Sequence, residues 1–409
     1  MWDERELSGV EFIPEPSDSR IVSAADPSTV GHQDGWRGEV LGWAPEPVRV
    51  LPRRSRLKHR LVNTGIFAIM IVIIFALYQS QNLIIEIPPK TSEWAFEDTG
   101  ARDLESQGLT GEGVSVCMVD TGIDITHPDL ENVDLTFKDF HRGSEIPVDH
   151  GNLAHGTMMA GILVADGHVK GVAPGVRLGM AAALGGDSDG SNSADETLVA
   201  NAIEWCWKEF DADIISLSLG GEIDPNATRD GPTANAVKQA LAQGVYVIAA
   251  AGNDGGVDDD GKVATPANVE HVISVAALTE GGKVWSGSSK GSSSNIDGEQ
   301  RVSPHQKPEI SAPGVDIVST GENGLYYTST GTSDSTVFVA GVLALILEAE
   351  PRLSDNPSLE CITEVKDALK LSATPLEDGI LHDENWGYGA LNGAKWLQKI
   401  RSYQVCTSA

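Results

Sequence analysis

Five short apolar runs constrain the fold of this chain more than any other feature: VSVCMV (114–119), VRLGMAAA (176–183), DIISLSL (213–219), VYVIAAA (245–251) and VISVAAL (272–278). Each is continuous rather than alternating and rich in Val, Ile and Ala. Helix-length stretches lie between them, His155 to Ala165, Ser193 to Phe210 and Thr233 to Gln243. A strand with no polar alternation is buried on both faces, and strands separated by helices pair in parallel. The expected fold class is therefore α/β, a mostly parallel central sheet with helices on both faces. In such a sheet, reactive and binding groups gather at the carboxyl ends of the strands.

A different kind of apolar run precedes this region. Leu61 to Tyr78 (LVNTGIFAIMIVIIFALY) carries no charge and has the length of a bilayer-crossing helix. Arg53, Arg54, Arg56, Lys58 and Arg60 crowd its N-terminal side, whereas Glu86, Glu93, Glu97 and Asp98 follow with Lys90. The positive-inside rule places the N-terminus in the cytoplasm and the remainder outside. The expected organisation is a largely disordered cytoplasmic tail over 1–60, a transmembrane helix over 61–79, a stalk over 80–94, one α/β domain over 95–402 and a short tail over 403–409. The localisation is a single-pass membrane protein with its folded domain extracytoplasmic.

The formal charge is −30, and after residue 60 there are 49 acidic against 20 basic side chains. Such a surface repels nucleic acid and anionic lipid, so no nucleic-acid partner is expected. Cys117 and Cys206 lie in apolar or helical patterns, where a buried free thiol is the default. Cys361 and Cys406 flank the C-terminal segment and outside the cell could pair; both readings stay open.

Four chemically capable residues stand at strand exits or helix starts. Asp120 ends the first run in VDTGID, with Gly122 allowing the turn. His155 opens an apolar helix in NLAHGTMMAGILVA, beside Gly156. Asn253 follows a buried strand in YVIAAAGNDGG, and Ser333 begins a helix in GTSDSTVFVAGVLALILEA. Alone, Asp120 reads as an ordinary strand-end acid, His155 as a structural histidine, Asn253 as a turn residue and Ser333 as a helix cap. Together they supply the parts that nucleophilic acyl transfer needs: a hydroxyl, a base, a carboxylate to hold the base's tautomer, and an oxyanion donor. The order Asp, His, Ser differs from that of chymotrypsin-like enzymes and of α/β-hydrolases. GSSKG (287–291) fits a nucleophile-elbow pattern, but it has neither a buried strand before it nor a helix after it. Ser289 is accordingly read as a loop residue.

These motifs carry a resemblance to a known family. VSVCMVDTGIDITHPDL, AHGTMMAGILVA and GTSDSTVFVAG resemble the Asp, His and Ser motifs of subtilisin-like serine proteases, the subtilases. Further similarity runs through KGVAPGVRL, ISLSLGG, IAAAGNDG, ISAPGVDI and WGYGALNGA. The resemblance implies a subtilisin-like fold and a serine endopeptidase that cuts polypeptide substrates through an acyl-enzyme on Ser333, with His155 and Asp120 completing a triad and Asn253 in the oxyanion hole. It also implies that Ser218, Leu219 and Gly220 pair with an extended substrate backbone. Ala250 and Gly252 would line a roomy pocket for an apolar or large residue before the scissile bond. His127 is implied to be structural. No cofactor is required on this reading, although the acidic loops 187–196 and 253–262 could hold calcium.

The chain departs from the family in two ways. Where the Ser motif usually continues Ser-Met-Ala and then Pro-His, this chain has Asp334, Ser335, Thr336, Val337 and Phe338. Asp334 beside the nucleophile would favour protonated His155; it is expected to point away from the reaction centre and to move the active pH range modestly upward. Secreted members commonly carry an N-terminal folding domain, but only the stalk separates the apolar run from the α/β region, so folding unaided is one expectation. The altered Ser motif also motivates an alternative, a catalytically silent subtilase-like protein that grips peptides without cutting them.

Overall fold

The computed structural model describes residues 53–79, 90–221, 230–257, 259–292, 294–295, 298–355 and 358–407. The expected tail over 1–52 and most of the expected stalk, 80–89, lie outside these residues. The chain divides into two units, 1–86 and 87–409; helix α1, Arg53–Gln79, belongs to the first, and the side chains of Leu61 to Ile73 along it are exposed.

The second unit is organised on a seven-stranded sheet. Its strands are β1 (Ser115–Asp120), β2 (Leu135–Asp139), β3 (Arg177–Ala182), β6 (Ile214–Leu217), β7 (Tyr246–Ala250), β8 (Ile273–Leu278) and β9 (Ile310–Pro313), in the order β2-β3-β1-β6-β7-β8-β9. Every pairing is parallel. The five apolar runs form β1, β3, β6, β7 and β8, the inner strands, and β1, β6, β7 and β8 are buried at every residue. Two small antiparallel pairs stand apart, β4 (Gly185–Gly186) with β5 (Asn192–Ser193) and β10 (Ile317–Thr320) with β11 (Tyr326–Ser329).

Helices occupy the segments between the strands. Helix α2 is His155–Val164, α3 is Glu196–Lys208 and α4 is Pro232–Ala242. Helix α5, Thr332–Ala349, is apolar around its whole circumference and buried from Thr332 to Leu347. By composition it would suit a membrane, but it lies in the core against β6, β7, β8 and β9. An all-round apolar helix is stable in water only when other elements cover it. Helices α6 (Leu359–Ser372) and α7 (Gly393–Ser402) pack on each other near the C-terminus.

At the amino ends of β8 and β9, opposite the reactive end, Glu309 is buried between two buried lysines. Lys307 Nζ lies 2.9 Å and Lys366 Nζ 2.6 Å from Glu309 Oε1, and both lysines also donate to the Val272 carbonyl. Burial pulls both lysines below their ordinary pKa, and Glu309 opposes it.

The cysteines correct one expectation. Cys117 on β1 and Cys206 on α3 are not free thiols but a disulfide, and both are fully buried. A strand residue and a helix residue 89 positions apart meet because α3 packs back onto β1 and β3, a contact no local pattern reveals. Cys361 and Cys406 form a second disulfide that ties the end of the chain to α6. Closing loops of this length stabilises by about 4 kcal/mol each in the chain-entropy account. The protein denatured without reductant should titrate no thiol, and four after reduction; finding two free thiols before reduction would contradict the Cys117–Cys206 bond.

Candidate active site

Strand β1 ends at Asp120, whose side chain is buried, and helix α2 begins at His155. The two meet through His155 Nδ1 and Asp120 Oδ1 at 2.7 Å. Asp120 Oδ1 also accepts from the Thr121 amide at 2.7 Å. Two glycines make this approach possible. A Cβ on Gly156 would sit 2.2 Å from the Gly122 carbonyl, and Gly122 itself has φ of +123° with the Val148 carbonyl 2.0 Å from where a Cβ would be. The backbone pays for the geometry just before His155, where Leu153 and Ala154 both adopt left-handed conformations at φ 55° and 51°.

Asp149 holds the two elements together. Its Oδ1 accepts from Thr121 Oγ1 at 2.7 Å and the Gly151 amide at 2.8 Å; its Oδ2 accepts from the Thr157 amide at 2.8 Å and Thr157 Oγ1 at 2.7 Å. Thr121 Oγ1 in turn accepts from the Gly156 amide at 2.8 Å. One carboxylate thus clamps the exit of β1 to the first turn of α2. Reading the sequence gave no reason to select Asp149, because an acid six residues before a histidine looks like any surface acid.

Ser333 lies in the first turn of α5, and its Oγ donates to the Ser218 carbonyl at 3.2 Å rather than to His155. Asn253 follows β7, and its Oδ1 accepts from the Thr332 amide at 3.0 Å and Thr332 Oγ1 at 2.9 Å. With the oxygen held by two donors, the amide orientation is set and Nδ2 remains the free donor. His155, Ser333, Asn253, Ser218, Leu219, Gly220, Ala250 and Gly252 all line one cleft of about 550 Å³. Asp120 stands behind His155, outside that lining. The far wall, Leu184, Asn192 to Ala194, Glu196 and Val199, was not anticipated from the sequence.

Electrostatics distinguish this cleft. Burial opposes charge on His155 and is the largest single influence, but Asp120, then Asp334 and Asp149, outweigh it and raise the imidazole to about 9. Burial likewise raises Asp334 to about 7, against the hydrogen bond from Ser329 Oγ and the nearby His155. Asp334 is buried and its carboxylate is turned toward Ser329 on β11, yet its charge reaches His155.

Other residues singled out in the sequence have structural surroundings. His127 is fully buried, and its Nδ1 accepts from the Asp129 amide at 3.1 Å. Ser289 lies in irregular structure, bonded to Asp254. In the two acidic loops the carboxylates serve their own backbone: Asp189 accepts from the Ser191 amide, Asp195 from Thr197, Asp259 from Gly261 and Asp260 from Lys262. Among the described residues the one convergent set of three potential ligands is Glu270, His271 and His305, which belong to neither loop. There the Lys366 ammonium lies 3.1 Å from His305 Nδ1, which opposes a cation.

A family model described as the Subtilase family matches residues 111–389. Subtilisin E of Bacillus subtilis (strain 168) is 34% identical over 292 residues, covering 71% of this chain and 67% of that protein. Serine protease AprX of the same organism is 33% identical over 327 residues, covering 73% of this chain and 70% of that protein. Among solved structures, that titled "Structure of Prenylagaramide maturation protease PagA" is similar with a TM-score of 0.57 and 28% identity, covering 74% of this chain and 98% of that chain.

A base must be neutral to accept a proton, so any activity that uses His155 is lost as pH falls below its pKa. Removing the charge of Asp334 or Asp149 lowers that pKa. In Asp334→Asn and in Asp149→Asn the acid limb of the pH–rate profile should move down, by less than the roughly 1–3 units a directly paired carboxylate contributes. Asp149→Asn should also lower kcat more than it changes KM. An unmoved limb in both variants would contradict the electrostatic account.

Proposed function

The chain belongs to the subtilase family and is a serine-type endopeptidase acting on polypeptides, and from that premise we propose that Ser333 is its nucleophile, His155 the general base and Asp120 the group that orients His155. The observation that carries this reading is the 2.7 Å bond between His155 Nδ1 and Asp120 Oδ1, at a cleft that also holds Ser333 and Asn253. With Nδ1–H donated to Asp120, Nε2 presents its lone pair to the cleft.

The reaction then runs on the chain's own groups. A substrate lies extended along Ser218, Leu219 and Gly220, with the residue before the scissile bond between Ala250 and Gly252. Rotation about χ1 takes the Ser333 hydroxyl from the Ser218 carbonyl toward Nε2 of His155. Oγ attacks the carbonyl carbon as its proton passes to Nε2, and the carbonyl oxygen becomes an anion held by Asn253 Nδ2 and the Ser333 amide. Collapse expels the amine, which takes the proton from His155. Water repeats the sequence in reverse to free Ser333. No step is assigned to calcium.

The same reading extends to topology. We propose that residues 61–79 span a membrane, with the tail 1–60 cytoplasmic and, after a stalk over 80–94, the peptidase over 95–402 and the end 403–409 outside. Support comes from α1, whose 27 residues reach about 40 Å at 1.5 Å per residue, and from the basic side chains confined to its N-terminal third.

The alternative, a silent peptide-binding relative, draws on Asp334 and on the Ser333 hydroxyl resting against Ser218. A fluorophosphonate probe separates the two. The full-length protein should be labelled on Ser333, and Ser333→Ala should not; absence of labelling, or labelling that persists in the variant, would overturn the catalytic reading. Asn253→Ala should lower kcat about 10²- to 10³-fold with little change in KM, the effect established for an oxyanion donor in subtilisin.

A further inference from the structure

The cleft contains a carboxylate that the proposed reaction does not use. Among its lining residues, His155 and Glu196 are the ones with acidic or basic side chains. Glu196 begins α3, and its carboxylate stands over Gly231, where a Cβ would come within 2.6 Å of Oε2. Its neighbours in sequence are committed elsewhere. Asp195 caps α3 by accepting from the Thr197 amide at 2.8 Å, and Asp189 accepts from the Ser191 amide at 3.0 Å and Ser191 Oγ at 2.7 Å. Asp230, next to Gly231, is paired with Lys238 at 2.6 Å. No described lysine or arginine is paired with Glu196, and residues 184–203 include four carboxylates and no basic side chain.

The surroundings of this carboxylate suit a long cation. Val199 lies one helical turn beyond Glu196 on the same face of α3, and Leu184 and Leu219 line the same cleft. A lysine or arginine can lay its methylene stem along such apolar groups while its charged head reaches a carboxylate. Leu219 also belongs to the edge proposed to pair with the substrate segment leading up to the scissile bond. We propose that Glu196 sets a preference for polypeptides carrying a lysine or arginine a few residues to the N-terminal side of the bond that is cut. The inference rests on the proposed reading of the cleft as the substrate channel. The −30 charge of the chain attracts basic polypeptides at long range, but it cannot select one position in them.

The test uses the full-length protein in mild detergent and internally quenched peptides in which Lys, Ala or Glu is placed in turn at each of the four positions before the scissile bond. At one position Lys should exceed Ala in kcat/KM by about three- to fivefold at low salt, the range of an exposed ion pair, and Glu should fall below Ala. The preference should shrink in 1 M salt, vanish in Glu196→Gln and persist in Glu112→Gln, an exposed acid at the opposite end of the sheet. Cleavage without a lysine preference, or a preference that survives in Glu196→Gln, overturns the inference and leaves the catalytic reading intact. Fluorescence anisotropy of the same peptides on Ser333→Ala reads recognition alone. Tighter binding of the Lys peptide there, lost in the double variant with Glu196→Gln, supports the inference even if the unmodified protein cuts nothing; equal binding of Lys and Ala peptides overturns it.

Discussion

The contact between His155 and Asp120 is the constraint on which the rest of this domain depends. A buried carboxylate is costly unless a charged or hydrogen-bonding partner meets it, and its partner here comes from a different element. The end of β1 and the start of α2 must therefore be held within 2.7 Å at their side-chain tips. Gly122 and Gly156 let the backbones approach, Asp149 fastens both sides, and two residues before His155 accept left-handed conformations to complete the turn.

The other half of the site is held by α5. Because this helix is buried around its circumference, its first turn is immobilised by the core rather than by a surface cap. Thr332 uses that rigidity to fix the Asn253 amide at the cleft, where the proposed reaction needs a donor. Donors fixed in advance cost no reorganisation when charge develops, which is why they are effective in low-dielectric sites. Asp334 lies on the same turn and works in the opposite sense, since its charge favours protonated His155. Its own raised pKa limits that effect at low pH, and its charge is expressed above about 7.

Much of the fold was legible in the sequence because parallel strands buried on both faces read as unbroken apolar runs. The two strands of the seven-stranded sheet not anticipated, β2 and β9, are its two edges. LTFKD is half exposed and polar at alternate positions, and ISAP is short and ends in proline, so neither has the signature of an inner strand. The candidate site residues were legible for a similar reason, since each sits beside a glycine at a strand exit or helix start. Asp149, Glu196 and the Lys307–Glu309–Lys366 cluster were not, because their significance comes from what faces them across the fold. The Cys117–Cys206 bond escaped for the same reason: a strand cysteine among valines looks like a buried thiol until a helix from elsewhere places its partner beside it.

The account stands or falls on the ionisation of His155, where three carboxylates outweigh burial. An NMR titration of the ring-labelled histidines, with His155 assigned from a His155→Gln variant, measures it directly. The account predicts titration near 9, with a marked fall in Asp120→Asn. A His155 that titrates near the unperturbed value of about 6.5 and is indifferent to Asp120 would contradict it.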